Sequence, residues 1–205
     1  MTIAIIDLGI SNIASVKNTL ENLGFDSIVT SDPAKLENKS KLILPGVGSF
    51  PKAMRAIKLK NWDKVLKKKV YEEKSSILGI CLGMQLLGSV GFEMEETKGL
   101  DFIKGKIESF ENKKYDLLLP HVGWNEVHYL NNDPMFEKIP NDSDFYFVHS
   151  YIFRETEKED ISATTRYKIN FTSAVRKNNV WGVQFHPEKS SVAGKQLLSN
   201  YLNLS

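Results

Sequence analysis

Ser76-Ile-Leu-Gly-Ile-Cys81-Leu-Gly-Met-Gln-Leu-Leu87 is the stretch that decides how this chain folds. Ile77–Ile80 is an apolar run without alternation, the pattern of a strand buried on both faces. Met84–Leu87 continues at once as a helix. Between them, Gly79-Ile80-Cys81-Leu82-Gly83 places a nucleophile-type residue between two glycines. That spacing suits a sharp strand-to-helix elbow, where crowded backbone excludes a Cβ on either side. It predicts Cys81 at a helix N-terminus, where the dipole favours a thiolate and N–H groups favour an oxyanion. The five residues alone leave two readings open: a nucleophile, or the small buried hydrophobe that a free cysteine most often is.

Before the elbow, short apolar runs alternate with helical patterns, which predicts a parallel sheet with crossover helices. Thr2–Ile6, Ser27–Thr30 and Leu42–Leu44 are strands in this reading. Ile13, Val16, Leu20 and Leu23 recur at helical spacing, and Gly24 supplies a stop. Further helices are expected over Lys52–Leu59 and from Asn61, the second with Trp62, Leu66 and Val70 buried and Lys67–Lys69 on a solvated face. After the elbow the pattern changes to short strands: Ile103–Phe110, Asp116–Leu119, Asn125–Tyr129, Phe145–Val148, Ser162–Thr165, Thr172–Val175 and Val180–Phe185. A last helix runs from about Ser191 to Leu202. With no linker-like tract and no repeat, residues 1–205 form a single domain, as 205 residues allow.

Composition removes several function classes. Lys+Arg 27 against Asp+Glu 25 gives a net charge of +2, and only Arg55, Arg154, Arg166 and Arg176 carry guanidinium groups. No field or set of bidentate forks is present to hold a nucleic acid. One cysteine excludes a disulfide framework and a structural zinc site. The uncharged stretch Ile77–Phe92 has 16 residues and four glycines, too short and too interrupted for a bilayer span. The N-terminus lacks a basic signal-peptide region. The expectation is a soluble cytoplasmic protein without metal or other cofactor, and without a membrane or nucleic-acid partner.

Two further segments bear on Cys81. Pro45-Gly-Val-Gly-Ser-Phe50 follows a strand and is glycine-rich. Loops at the carboxyl ends of neighbouring parallel strands converge on one crevice. An N–H of Val47 or Gly48 is therefore placed to join that of Leu82 in an oxyanion hole. A plain tight turn is the alternative. In Trp181-Gly-Val-Gln-Phe-His186-Pro-Glu188-Lys-Ser190, Pro187 keeps His186 extended, so that His186 and Glu188 point to the same side. A carboxylate beside an imidazole fixes its tautomer and steadies the imidazolium. A hairpin-end histidine with a surface glutamate is the alternative, and these three residues alone favour it. The other histidines carry no such signal: His128 reads as a polar face residue of a strand, and His121 and His149 as structural.

Taken together, Pro45–Phe50, Gly79–Leu87 and Gly182–Ser190, in this order, resemble the class I, triad-type glutamine amidotransferases. Pro120-His-Val-Gly-Trp-Asn125 and Tyr146-Phe-Val-His-Ser-Tyr151 narrow the resemblance to the glutaminase subunits of imidazole glycerol phosphate synthase. It covers nearly the whole chain. It implies a flavodoxin-like α/β fold: a mostly parallel central sheet flanked by helices, with an additional mixed or antiparallel sheet. It implies a catalytic triad of Cys81, His186 and Glu188, and an oxyanion strand at Val47 and Gly48. It also places Gln85, Glu93 and the backbone of His149, Ser150 and Tyr151 around a bound glutamine. Asn12, Trp124, Tyr146 and Lys189 match positions facing a (β/α)₈ cyclase subunit that receives the ammonia.

The chain departs from the family pattern at Gly9-Ile10-Ser11-Asn12, at Leu118-Leu119, and at Arg166-Tyr-Lys-Ile-Asn170. None touches the triad. They bear on the partner, because paralogues of this subunit donate ammonia for amidination of surface-glycan sugars. Two other readings share the fold: a stand-alone cysteine hydrolase and a non-catalytic interaction subunit. The first leaves the Pro120–Asn125 and Tyr146–Tyr151 segments without a task. The second sits poorly with three intact triad members.

Overall fold

The computed structural model describes residues 3–110, 117–130 and 133–204. β1 (Ile3–Ile6), β2 (Ser27–Thr30), β3 (Lys41–Gly46) and β4 (Ser76–Cys81) form the parallel part expected from the apolar runs. The helices between them are α1 (Ile13–Asn22), α2 (Phe50–Leu59) and α3 (Trp62–Lys67). Gly24 follows α1 at a φ of +81°, the left-handed conformation of a glycine stop. α4 (Leu82–Leu86) starts directly at the elbow and α5 (Ser191–Asn203) closes the chain.

The remaining strands are β5 (Val90–Gly91), β6 (Thr97–Lys98), β7 (Lys106–Ser109), β8 (His121–Tyr129), β9 (Ser143–His149), β10 (Tyr151–Arg154), β11 (Ile161–Tyr167), β12 (Ile169–Lys177) and β13 (Val180–Val183). Among the described residues they join the first four in one network of 13 strands, in the order β2-β1-β3-β4-β13-β12-β10-β7-β5-β6, with β11, β8 and β9 branching from β12. β13 lies parallel to β4, and β12 antiparallel to β13. The later strands therefore extend the parallel sheet as a mixed region, from which the antiparallel β8–β9 pair branches through β11, as the expected additional sheet.

Alternation along the parallel strands explains why both of their faces are apolar. Ile3, Ile5, Ile43, Leu78 and Ile80 face one core, with Val16 and Leu20 of α1 and Leu197, Leu198 and Tyr201 of α5. Ala4, Ile6, Leu42, Leu44 and Ile77 face the other, beneath α2, α3 and α4. A period of two on a strand with helices on both sides leaves no polar face.

Several expectations are corrected. In Asp116–Leu119, residue 116 lies outside the described residues, and 117–119 form no strand. Lys69 is buried and paired with Glu73 instead of solvated. The chain there runs as a π-type turn over Lys68–Glu72, whose wider period displaces the helical phase. β13 ends at Val183, two residues short of Phe185, and β10 lies outside the expected strands. It follows β9 after a one-residue break at Ser150, too short an interruption for turn chemistry to mark.

Candidate active site

The elbow is built by steric necessity. Gly79 and Gly83 pass so close that a Cβ on Gly79 would lie 2.6 Å from the Gly83 backbone. A Cβ on Gly83 would lie 1.7 Å from the Leu44 carbonyl oxygen. Cys81 between them takes φ +54° and ψ −112°, a strained conformation for a residue with a side chain. Such strain costs about 1–3 kcal/mol. It is held in place by six register pairs between β3 and β4, which include Leu44 opposite Gly79 and Gly46 opposite Cys81. A single buried leucine or isoleucine there offsets it, at about 1.5–3 kcal/mol each. α4 is little more than one turn, so the elbow supplies first-turn N–H groups, that of Leu82 among them, rather than a long helix dipole.

His186 arrives from β13, the strand parallel to β4, so both residues leave the sheet at its carboxyl edge. Its Nδ1 lies 2.8 Å from Glu188 Oε1, and both side chains are almost wholly buried. The pair meets through a 3-10 turn at Pro187–Lys189, not through an extended chain. Burial opposes the imidazolium, yet Cys81 and Glu188 together outweigh it and push the His186 pKa up to about 10. Its Nε2 is buried without a hydrogen bond. The backbone of this turn is tied to β9: His186 N–H donates to the Tyr146 carbonyl at 2.8 Å, and Ser190 Oγ accepts from Tyr146 N–H at 3.0 Å while donating to the His186 carbonyl at 2.6 Å.

Cys81 is 6% exposed. Its thiol faces the Val148 carbonyl at 3.7 Å and receives the Gln184 side-chain amide at 3.8 Å. Gln184 and Ser190 are site residues that sequence reading passed over. Both stand inside the Trp181–Ser190 motif, which was the available signal.

The glycine-rich loop lies beside the elbow, but its Val47 N–H donates to the Ile10 carbonyl at 3.0 Å. Ser11 Oγ donates to the Pro45 carbonyl at 2.8 Å. In this conformation the Val47 N–H is therefore turned away from an oxyanion role. Gly48, at φ +97°, has open space around its Cα. Glu93 Oε2 accepts from Phe50 N–H at 2.7 Å and caps α2, a task that the N-cap Ser49 leaves undone. Gln85 is buried and its amide donates to Gln184 Oε1 at 3.0 Å and to the Tyr151 carbonyl at 3.1 Å. The Ser150 carbonyl accepts from Phe110 N–H at 2.8 Å. Gln85 and the His149–Tyr151 turn are thus joined directly, and Val148 carries that turn to the thiol.

On the outer side, Trp124 and Tyr146 meet edge to face at 6.1 Å, and Lys189 lies 5.6 Å over the Tyr146 ring. Trp124 is 53% exposed. Asn12 begins α1, the helix that packs on the Pro187–Lys189 turn, and its side chain caps nothing. His121 and His149 are buried, with pKa values lowered by that burial to about 4 and about 3. His128 is paired with Asp142 at the surface. Among the described residues no cluster of His, Cys, Asp or Glu suits a metal ion, and no helix is long and apolar enough to cross a membrane.

A cysteine on a strained strand-to-helix elbow, beside a buried His–Glu pair from the neighbouring parallel strand, is the arrangement that the class of cysteine-dependent acyl-transfer enzymes uses. The comparisons with known proteins fall within that class. The family model for glutamine amidotransferase class-I matches residues 4–203. Imidazole glycerol phosphate synthase subunit HisH 2 of Methanococcus maripaludis is 45% identical over 201 residues, covering 98% of each chain. Subunit HisH of Pelagibacter ubique is 41% identical over 208 residues, with 100% of each chain covered. A crystal structure of a glutamine amidotransferase superposes with a TM-score of 0.75 at 19% identity, over 98% of this chain and 96% of that one, which supports the fold. The chain belongs to the class-I glutamine amidotransferase family and, within it, to the HisH-type subunits of imidazole glycerol phosphate synthase.

Proposed function

We propose that this chain hydrolyses glutamine through Cys81, His186 and Glu188 and delivers the ammonia to a (β/α)₈ cyclase subunit of imidazole glycerol phosphate synthase, in histidine biosynthesis. The observation that carries the reading is the buried His186–Glu188 pair leaving the sheet beside the Cys81 elbow. The Cys81 thiolate attacks the side-chain carbonyl carbon of glutamine, and the carbonyl electrons move onto oxygen. His186, protonated at neutral pH, gives its proton to the departing nitrogen, and ammonia leaves as the thioester forms. His186 then takes a proton from water, whose oxygen attacks the thioester and releases glutamate and the thiolate. Glu188 holds Nδ1–H and steadies the charge.

Ammonia released into neutral water becomes ammonium, which has no lone pair for attack. A partner sealed over the site is therefore part of the chemistry, and the Trp124, Tyr146, Lys189 and Asn12 face is where it docks. The oxyanion is held by Leu82 N–H with Val47 or Gly48 once the loop turns. Until then the Val47–Ile10 hydrogen bond keeps the isolated subunit a poor glutaminase. The setting is the cytoplasm, in a one-to-one complex.

Cys81→Ala tests the mechanism. In complex with the cognate cyclase it is expected to lose glutamine-dependent synthesis by at least about a thousandfold while synthesis from added ammonia survives. Retained glutaminase activity would remove Cys81 as the nucleophile.

One observation supports a second partner. The two segments that carry departures from the family pattern touch each other: Tyr167 O–H donates to the Leu118 carbonyl at 3.0 Å. A paralogue retuned there would serve a different barrel. Complementation of a strain that lacks only its own such subunit separates the two, since the paralogue would not restore histidine-free growth.

A further inference from the structure

The mechanism leaves two buried histidines unused. β8 and β9 are antiparallel, with His121 directly opposite His149. Their rings meet: His121 Nδ1 is 3.0 Å from His149 Nε2. On the inner side, His149 Nδ1 is 2.9 Å from the Tyr151 carbonyl oxygen. On the outer side, the Asn125 side-chain amide nitrogen is 3.3 Å from His121 Nε2. A carbonyl oxygen only accepts and an amide NH₂ only donates. The protons therefore have one consistent arrangement: both rings are neutral, each carries its hydrogen on Nδ1, and each accepts at Nε2. An additional proton on either ring would set two N–H groups face to face.

The surroundings enforce this state. Tyr167 and Phe147 stack on His121 at 4.1 and 5.0 Å, Phe110 stacks on His149 at 5.6 Å, and Phe171 meets both rings. None of these rings offers a charge to an imidazolium, and both histidines are buried beneath them. The chain of hydrogen bonds also continues past Tyr151. Its carbonyl accepts from Gln85 as well, Gln85 donates to Gln184, and Gln184 donates to the Cys81 sulfur. One run of contacts thus leads from Asn125, next to the exposed Trp124, to the nucleophile.

We propose that Asn125, His121 and His149 form a positioning relay, whose single tautomer arrangement holds the Tyr151 carbonyl, and through Gln85 and Gln184 the Cys81 sulfur, in register for glutamine. The relay rests on Cys81 being the glutaminase nucleophile. His149 serves twice, its backbone at the substrate turn and its side chain in the relay. The outer end is anchored by Asn125, whose amide also donates to the Arg166 carbonyl at 3.1 Å.

Two measurements test the relay. In the full chain near pH 7, two-bond ¹H–¹⁵N correlation spectra are expected to show both rings neutral and protonated at Nδ1, the minority tautomer of free histidine. A charged ring, or hydrogen on Nε2 of either, overturns the relay. In complex with the cognate cyclase, His121→Phe keeps the stacking but loses the donor. It is expected to lower kcat/KM for glutamine about tenfold, mainly through KM. His121→Asn returns an N–H at the Nδ1 position and is expected to stay within about threefold of wild type. Equal losses in the two variants, or none in His121→Phe, overturn the relay. A complex without glutaminase activity would instead defeat the proposed function, and the tautomers of the wild-type chain would still decide the relay. They also decide it if a variant does not fold.

Discussion

His186 and the His121–His149 pair are buried to similar degrees, yet burial has opposite outcomes in the two regions. At the carboxyl edge of the parallel strands, His186 stands between a carboxylate and a thiol, and its pKa rises to about 10. In the antiparallel extension, the two rings face aromatic side chains and each other, and their pKa values fall to about 4 and about 3. Burial lowers all three. What differs is whether a group that favours the charged form lies within reach. The parallel half supplies reactive, strained, charged groups, whereas the antiparallel half supplies neutral groups that hold others in place.

The contrast is broken most severely in the parallel half, at the elbow. Gly83→Ala sets a Cβ 1.7 Å from the Leu44 carbonyl and must move backbone in two buried strands. A loss of about 3 kcal/mol is expected, read from urea unfolding midpoints. Gly48→Ala meets no atom, so its φ of +97° is the sole cost, about 1–2 kcal/mol. Its larger effect is on turnover, because the loop must still turn toward the oxyanion. Similar midpoints for the two variants would show that the elbow is not sterically locked.

The pH dependence of stability tests the two histidine environments with opposite signs. His121 and His149 are depressed in the folded chain, so their contribution is present above the unfolded value of about 6.5 and is lost on acidification. Between about pH 6.5 and 5 stability should fall by up to about 1.4 kcal/mol per pH unit for each ring. His121→Phe should flatten that slope. His186 is raised, so its contribution is fully present below about 6.5 and fades as the pH climbs toward 10. Glu188→Gln should lower the His186 pKa and weaken the alkaline loss, measured by histidine proton shifts and by unfolding at pH 7, 8 and 9. A flat acid limb would mean that the aromatic cage does not keep the pair neutral.

The smallest effect on stability is expected at the surface where the two halves meet. Trp124→Ala removes a side chain that is 53% exposed, so folding should change by no more than about 0.5 kcal/mol. Binding of the cyclase, followed by titration calorimetry, should weaken by about tenfold or more, because a large exposed aromatic braced by a second ring is suited to be an anchor. Unchanged binding would move the docking face elsewhere.

Much of the parallel half was legible from the chain. Each of its signals is local: an apolar run, two glycines flanking Cys81, a proline after His186, a glycine after α1. Such residues act on their own backbone within a few positions, so their meaning survives without knowledge of the partners. Even there the local signal predicts an extended route, whereas Glu188 reaches His186 through a 3-10 turn. The Lys67–Lys69 run also misled, because helical phase decides exposure and the π-type turn changes that phase.

What only the tertiary structure decided are contacts set by register between distant strands. His121 and His149 stand 28 residues apart, and they meet because β8 and β9 pair in the register that sets them directly opposite. Gln184 reaches Gln85 across 99 residues, and Tyr167 reaches Leu118 across 49. The Val47 N–H could have faced the site or the Ile10 carbonyl, and glycines on both sides make either cheap. Local spacing by itself marks Cys81, His186 and Glu188 as candidates, because the glycines and the proline act on their own backbone, and the family resemblance is what joins the three into a triad. Which histidine is charged, and which N–H is free, follows from what the fold brings within 3 to 4 Å, a distance at which charge and hydrogen bonding are decided.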